Sequence, residues 1–230
     1  MNTGKLYITA TPIGNLDDMT DRAKRVLKEV DLILCETPSE TQNLLNHFNI
    51  DTKAEEYNQH TRQGKMVEIV DRLESGEEIA LVSDAGTPAI SDPGGKLVEY
   101  VEQRNKEIDI VPVPGSSAIT TALSICGFPA NEFVFLGFPP NKSGREKFFK
   151  QAVEHDKTVV FYESKHRIEK ALRQLKEIMD ANRNVCICRE LTKQYESIYR
   201  GAIDNILNQD IKTKGEFTVV IDGKKINKQK

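Results

Sequence analysis

The chain lacks any apolar run approaching the ~20 residues that a membrane-spanning helix requires. Its first residues, Met1-Asn-Thr-Gly-Lys-Leu-Tyr7, lack the apolar core of a secretory signal. A cytoplasmic location with no membrane partner is therefore expected. It also lacks an excess of cations: 32 Lys and Arg against 35 Asp and Glu leave a net charge of −3 over 230 residues. That balance argues against tight binding to bare nucleic acid through overall charge, while leaving room for a local basic patch. The four cysteines, Cys35, Cys126, Cys186 and Cys188, are too few for a disulfide framework in a chain of this length. Cys186 and Cys188 share one face of a strand-like run, as a metal pair or as two small core residues; no second Cys/His pair supplies the missing ligands. His47, His60, His155 and His166 show neither H-x-H nor H-x-x-x-H spacing, so no metal centre is expected. There is no G-x-G-x-x-G and no G-K-[ST], which excludes the dinucleotide fingerprint and the P-loop. Internal repeats and low-complexity segments are absent as well.

What is present is an alternation of apolar strand-like runs and amphipathic segments. Strands are expected at Leu6–Ala10, Asp31–Cys35, Ile79–Val82 and Ile108–Val113. Between them, helices are expected at Thr20–Glu29, from a Ser39 cap to about His47, at Thr61–Glu74 and at Gly94–Gln103. Such alternation implies a mainly parallel sheet covered by helices. The Pro112, Pro114, Gly115 cluster marks a boundary, giving an α/β domain over 1–114 and a second over 115–230. The second half reads as helix 116–124, strand 133–137, helix 145–154, strand 158–162, helix 166–179, strands 185–189 and 195–200, helix 202–208 and strand 216–221. A basic tail follows from Lys224.

Two strings of small residues stand directly after strands: Leu81-Val-Ser-Asp-Ala-Gly-Thr-Pro88 and Val111-Pro-Val-Pro-Gly-Ser-Ser-Ala118. Small residues at a strand end allow a ligand to approach the backbone. Asp84 there is either a turn cap or a ligand contact, and Ser116 and Ser117 are either helix caps or ligand contacts. Two such ends in one sheet point to a nucleotide-like ligand at its carboxyl edge. Glu36, Glu163, Arg189, Glu190 and Lys193 also fall near strand ends and make that edge polar. Lys165, His166 and Arg167 crowd a helix start, an unfavourable place for three cations unless an anion binds. The segment 138–150 carries Lys142, Arg145, Lys147 and Lys150 beside Phe148 and Phe149. It is either an RNA contact, with cations on phosphates and a ring on an unpaired base, or a solvated helix start.

Thr11-Pro-Ile-Gly-Asn-Leu16, Ser83-Asp-Ala-Gly-Thr-Pro-Ala-Ile-Ser-Asp-Pro93, Val113-Pro-Gly-Ser-Ser-Ala118, Phe161-Tyr-Glu-Ser-Lys-His-Arg167, Arg189-Glu-Leu-Thr-Lys193 and Lys214-Gly-Glu-Phe217 are spread over nearly the whole chain. Together they resemble the tetrapyrrole-methylase superfamily, and within it the branch directed to small-subunit ribosomal RNA. The resemblance implies a two-domain α/β fold with S-adenosyl-L-methionine bound in the interdomain cleft, usually in a homodimer. The implied reaction is methylation of the ribose 2′-hydroxyl of a cytidine in 16S rRNA, within the assembled small ribosomal subunit. Carried over by motif, Pro12, Gly14, Asp84, Thr87, Ser116, Ser117, Phe161, Tyr162, Glu190, Leu191, Gly215 and Glu216 would bind the donor. Lys142, Arg145, Lys147, His166 and Arg167 would contact RNA. Glu190, Glu163 and Lys193 are the candidates for a general base. Two departures stand out: Cys35-Glu-Thr-Pro-Ser-Glu-Thr41 replaces an A-E-D-T-R pattern, and Lys165 replaces a proline before His-Arg. The chain also ends soon after Phe217, where many members continue into a small extra domain, so less extensive contact with RNA is expected. The alternatives are a methyltransferase for a tetrapyrrole or other small molecule on the same fold, and a nucleotide-binding module without catalysis.

Overall fold

The computed structural model describes residues 3–224, which divide into two compact units on either side of the Ser117–Ala118 bond. Of the expected basic tail, all but Lys224 lies outside the described residues; Lys224 Nζ pairs with Glu154 at 2.6 Å.

The first unit holds one sheet of β1 (Lys5–Thr9), β2 (Leu32–Cys35), β3 (Ala54–Glu56), β4 (Ile79–Leu81) and β5 (Asp109–Val113), in the order β3-β2-β4-β1-β5. Every pairing is parallel, with Leu6 opposite both Ile79 and Ile110. A parallel sheet is covered on both faces, which is why its strands read as continuous apolar runs. Leu6, Leu32, Leu34, Ile79 and Leu81 face α3 (Gln63–Glu74) and α4 (Gly95–Arg104) through Ile69, Leu73, Leu97 and Val101. Ile33, Cys35, Ala80 and Val113 face the opposite way, onto Ala23 and Leu27 of α1 (Asp21–Glu29) and Leu45 of α2 (Pro38–His47). β3 has no counterpart in the sequence reading. It is three residues long, Ala-Glu-Glu, and shows no apolar alternation; pairing with the edge of β2 alone makes it a strand.

The expected Ser39 cap is corrected. α2 begins at Pro38, its N-cap is Thr37, and the Thr37 side chain makes no capping bond of its own. By contrast, Thr20 caps α1 through the Ala23 amide in the ordinary way.

The second unit is a mixed sheet of β6 (Phe133–Phe135), β7 (Thr158–Ser164), β8 (Asn184–Arg189), β9 (Ser197–Ala202) and β10 (Glu216–Ile221), in the order β6-β7-β10-β8-β9. Only β6 and β7 run parallel. One face packs Val159, Phe161, Ile187 and Val219 against α6 (Arg145–Glu154), α7 (Ile168–Ile178) and α8 (Ile203–Leu207). The other packs against α5 (Ala118–Cys126). Cys186 and Cys188 are fully buried with their sulfurs 3.7 Å apart. The Cys188 thiol is pushed up in pKa by its hydrogen bond with Cys186 and by burial.

A cluster of charges lies inside this unit. The Glu163 side chain has no exposed surface, and its carboxylate is bound by Arg145 Nη2 at 2.9 Å, by Arg167 Nε at 2.9 Å and by its neighbour's amide, Ser164 N, at 2.8 Å. Arg145 is itself buried, donates to Gln174 Oε1 at 2.9 Å and lies 5.0 Å over the Phe149 ring. Removing one member of a buried pair strands the other charge. Glu163→Ala is therefore expected to lower the free energy of unfolding by about 3–5 kcal/mol, read by urea denaturation. A loss below the range of ordinary surface substitutions would show that the arginines relax into solvent.

Candidate functional site

In the first unit, four loops leave the carboxyl ends of parallel strands and are tied to one another. Thr11 N donates to Gly86 O at 2.9 Å and Gly86 N to Thr11 O at 3.1 Å, joining the loop after β1 to that after β4. Thr11 Oγ1 adds a bond to Ser83 O at 3.0 Å. Thr87 Oγ1 donates to Ser116 O at 3.2 Å, joining the β4 and β5 loops. Thr37 binds Asp84 twice, N–H to Oδ1 at 3.1 Å and Oγ1–H to Oδ2 at 2.7 Å, joining the β2 and β4 loops. Asp84 thus sits at the start of α2 and explains why Thr37 does not cap that helix itself. The turn-cap reading of Asp84 is realised, yet each carboxylate oxygen retains a lone pair and the residue is exposed.

Gly115 is where two of these loops touch. A Cβ there would meet the Ala10 Cβ at 3.0 Å, so the small residues serve close approach of the loops themselves. Pro12 is buried, while Gly14 is exposed and Thr87, Ser116 and Ser117 are half-buried. Among the described residues of this unit, Thr9 Oγ1 is the one buried side-chain oxygen with no hydrogen-bond partner, at the end of β1.

The sequence reading missed two members of this edge, Thr37 and Asp92. Burial, with Glu36 and Asp84 nearby, pushes the Asp92 carboxyl up to about 6 from 3.8. Burial and Asp84 raise Glu36 as well. Asp92 stands in Ser91-Asp92-Pro93, where Ser91 has φ 64°, so the chain is held in an unfavourable conformation there. That run of turn residues was the available signal.

In the second unit, a cavity of about 790 Å³ opens where β7 ends and β10 begins, lined by Ser164, Lys165, His166, Lys193 and residues 213–216. Glu190, with φ 53°, is folded against Gly215. A Cβ at Gly215 would meet Glu190 Cγ at 2.5 Å, and φ 118° there also demands glycine. Glu190 Oε1 accepts from Glu216 N at 2.9 Å and from Lys193 Nζ at 3.1 Å; Lys193 Nζ also binds Glu216 Oε2 at 2.7 Å. Burial raises the proton affinity of Glu190, but the Glu216 amide and the Lys193 ammonium outweigh it and hold the carboxyl below its ordinary range. Burial lowers Lys193, but its two carboxylates outweigh that and hold the ammonium above its ordinary range.

Two of the three general-base candidates are not set for that role: Glu163 is sealed between two arginines and Lys193 is held protonated. Glu190 stands as a carboxylate whose basicity its two donors reduce. Several site expectations are corrected in the same way. Phe161 is fully buried in the core and Leu191 is 6% exposed, so neither offers a side chain to a ligand. Phe149 is 1% exposed and Phe148 packs against the core, so neither can stack on a base. Arg145 and Arg167 point inward onto Glu163. Arg167 Nη1 also holds Pro139 O at 3.2 Å and the Asn141 side chain. Lys142, Lys147 and His166 are exposed as expected, and Tyr162 is half-buried.

The family model of the Tetrapyrrole (Corrin/Porphyrin) Methylases matches residues 5–207, and the chain belongs to this family of methyltransferases. Among its relatives is the protein of Halalkalibacterium halodurans named ribosomal RNA small subunit methyltransferase I, 45% identical over 226 residues, covering 96% of this chain and 76% of that one. The Thermotoga maritima protein of the same name is 42% identical over 223 residues, covering 96% and 99%. A crystal structure of diphthine synthase shares the fold with a TM-score of 0.73 at 12% identity, over 95% of this chain and 90% of that one. Among the described residues no helix is long and apolar enough to cross a membrane.

The Asp92 shift has a sign that can be tested. The folded state holds its proton up to about pH 6, whereas the unfolded group titrates near 3.8. The resulting stabilisation is complete below the lower value and is lost as pH rises through the upper one. Asp92→Asn is expected to raise the Tm at pH 7.5 and to leave it nearly unchanged at pH 3.5, read by calorimetry. Equal shifts at both pH values would show that Asp92 does not titrate in this way.

Proposed function

We propose that this protein uses S-adenosyl-L-methionine to methylate the ribose 2′-hydroxyl of a cytidine in 16S rRNA of the small ribosomal subunit. The observation that carries the donor reading is the set of tied loops at the carboxyl edge of the first sheet, with Asp84 fixed by Thr37. The donor-binding positions Gly14, Asp84, Thr87, Ser116 and Ser117 all belong to that edge. The RNA reading is supported by the name shared by relatives at 45% and 42% identity, and by the Thr11-Pro-Ile-Gly-Asn15 form of the first loop. The cytidine 2′-hydroxyl follows from the resemblance to the RNA-directed branch.

The residues fit the donor's chemistry. Asp84, oriented by two donors from Thr37, offers its remaining lone pairs to hydroxyl or ammonium groups. Thr9 Oγ1, buried and without a partner, is a further polar atom at the same strand ends. When bound, the donor supplies an electrophilic methyl group on its sulfonium. The chain's own task is to orient the hydroxyl and exclude alternative geometries, and fixing two reactants in place supplies much of a methyl-transfer rate. With Glu163 and Lys193 committed elsewhere and Glu190 a weakened base, positioning is the main contribution these residues make. Lys165 and Lys214, exposed at the second unit's cavity, are suited to phosphate groups.

The test is transfer of labelled methyl groups to 30S particles from cells lacking the gene, with the product nucleoside identified by mass spectrometry. A 2′-O-methylcytidine is expected; methylation of a tetrapyrrole with none on rRNA would overturn the substrate, and donor binding without transfer would overturn the enzyme. Asp84→Ala is expected to weaken donor binding by about 1–3 kcal/mol, and Thr37→Val by less, both by calorimetry. Affinity equal to that of the parent in Asp84→Ala would remove Asp84 from the site.

A further inference from the structure

The RNA reading leaves open which side chain receives the target base, because the two phenylalanines expected to do so are in the core. Phe138 is the exposed ring of the same segment. It is 49% exposed and stands just past the end of β6, at the same edge of the second sheet as the cavity mouth. The backbone holds it there, since Tyr162 N donates to Gly137 O at 2.9 Å. Its ring is 5.3 Å from that of Tyr162, tilted by 52°, and Tyr162 in turn is 5.0 Å from Phe135.

The loop that carries Phe138 is stiff. Pro139 and Pro140 fix their own backbone angles. Arg167 Nη1 binds Pro139 O at 3.2 Å and Arg145 Nη1 binds Pro140 O at 3.4 Å. Both guanidinium groups are oriented by the buried Glu163. A buried ion cluster thus anchors a loop whose outermost ring is open to solvent. A ring displayed on a rigid loop loses little entropy when it binds. Exposed cations stand on the same loop and the next strand end: Lys142 follows Phe138 by four residues, and Lys165 and His166 follow β7. An aromatic face beside exposed cations matches an unpaired nucleobase attached to its phosphates, and not the contiguous apolar patch of a protein interface.

We propose that Phe138 is the stacking platform for an unpaired base of the RNA substrate, with Lys142 and Lys165 on the adjoining phosphates. Glu163, Arg145 and Arg167 act as positioning residues for that platform. This rests on the RNA reading above.

The chain contains no tryptophan, so Phe138→Trp places a single indole at the platform. Titration of that variant with a short single-stranded cytidine-containing oligoribonucleotide is expected to quench its fluorescence saturably, and less so at high salt. Absence of quenching overturns the proposal. In methyl transfer to 30S particles, Phe138→Ala is expected to raise KM about 5- to 150-fold with donor affinity and Tm unchanged, and Phe138→Tyr to restore it. Phe133→Ala, at the opposite end of β6, is the control and should leave KM as it was. A parent-like KM in Phe138→Ala overturns the platform while the RNA reading stands. Quenching by the oligonucleotide in a protein that methylates no RNA upholds the platform and removes the activity.

Discussion

Glu163 cannot be buried as a carboxylate without Arg145 and Arg167, and much of the second unit's outer edge follows from that requirement. An ion at zero exposure loses its hydration and must recover the loss in hydrogen bonds of good geometry. Here Arg145 Nη2 and the Ser164 amide hydrogen-bond it, and Arg167 Nε forms an ion pair with it, all at 2.8–2.9 Å. Each arginine has donors left over, and these fix Pro139 O, Pro140 O and Gln174. The charge cluster therefore shapes a loop as well as a core, and selects which cations of the segment remain exposed. Lys142 and Lys147 remain in solvent because they have no buried partner.

The first unit solves a related problem with a smaller device. Parallel strands end in loops whose polar backbone groups need partners. Thr11 and Thr87 supply them across strand ends, at Ser83 O and Ser116 O, Ser83 does so within its own loop, and Thr37 joins its loop to the Asp84 side chain. At Thr37 a local rule gives way. A threonine at the N-cap would ordinarily bond its own helix, but its hydroxyl and its amide both go to Asp84. The departure from the A-E-D-T-R pattern places a hydroxyl at position 37, and that hydroxyl donates to Asp84.

The raised carboxyls of Glu36 and Asp92 and the lowered one of Glu190 show opposite environments at the two sheet edges. Glu36 and Asp92 share a half-buried corner with Asp84, where like charges add to the effect of burial. Glu190 has a carboxylate's preferred company, an amide and an ammonium. Proton affinity in each case is set by neighbours brought from distant parts of the chain.

What the sequence determined is the part governed by short-range pattern. Runs such as Leu32–Cys35 and Ile79–Leu81 are apolar throughout because both faces of a parallel strand are covered, and the amphipathic spacing of Ala23, Val26 and Leu27 specifies a helix on that sheet. Strand ends followed by small and hydroxylated residues located the candidate edge, and the motifs spread along the chain placed it in its family. Tertiary structure alone decided which polar side chains face inward. Lys142, Arg145 and Lys147 carry the same sign within six residues, yet only Arg145 finds a carboxylate, 18 positions away. Asp84 finds its partner 47 positions away, and three residues at 54–56 become a strand only because β2 lies beside them. Charge and polarity are local properties of a residue, whereas the partner that fixes their direction is supplied by the fold.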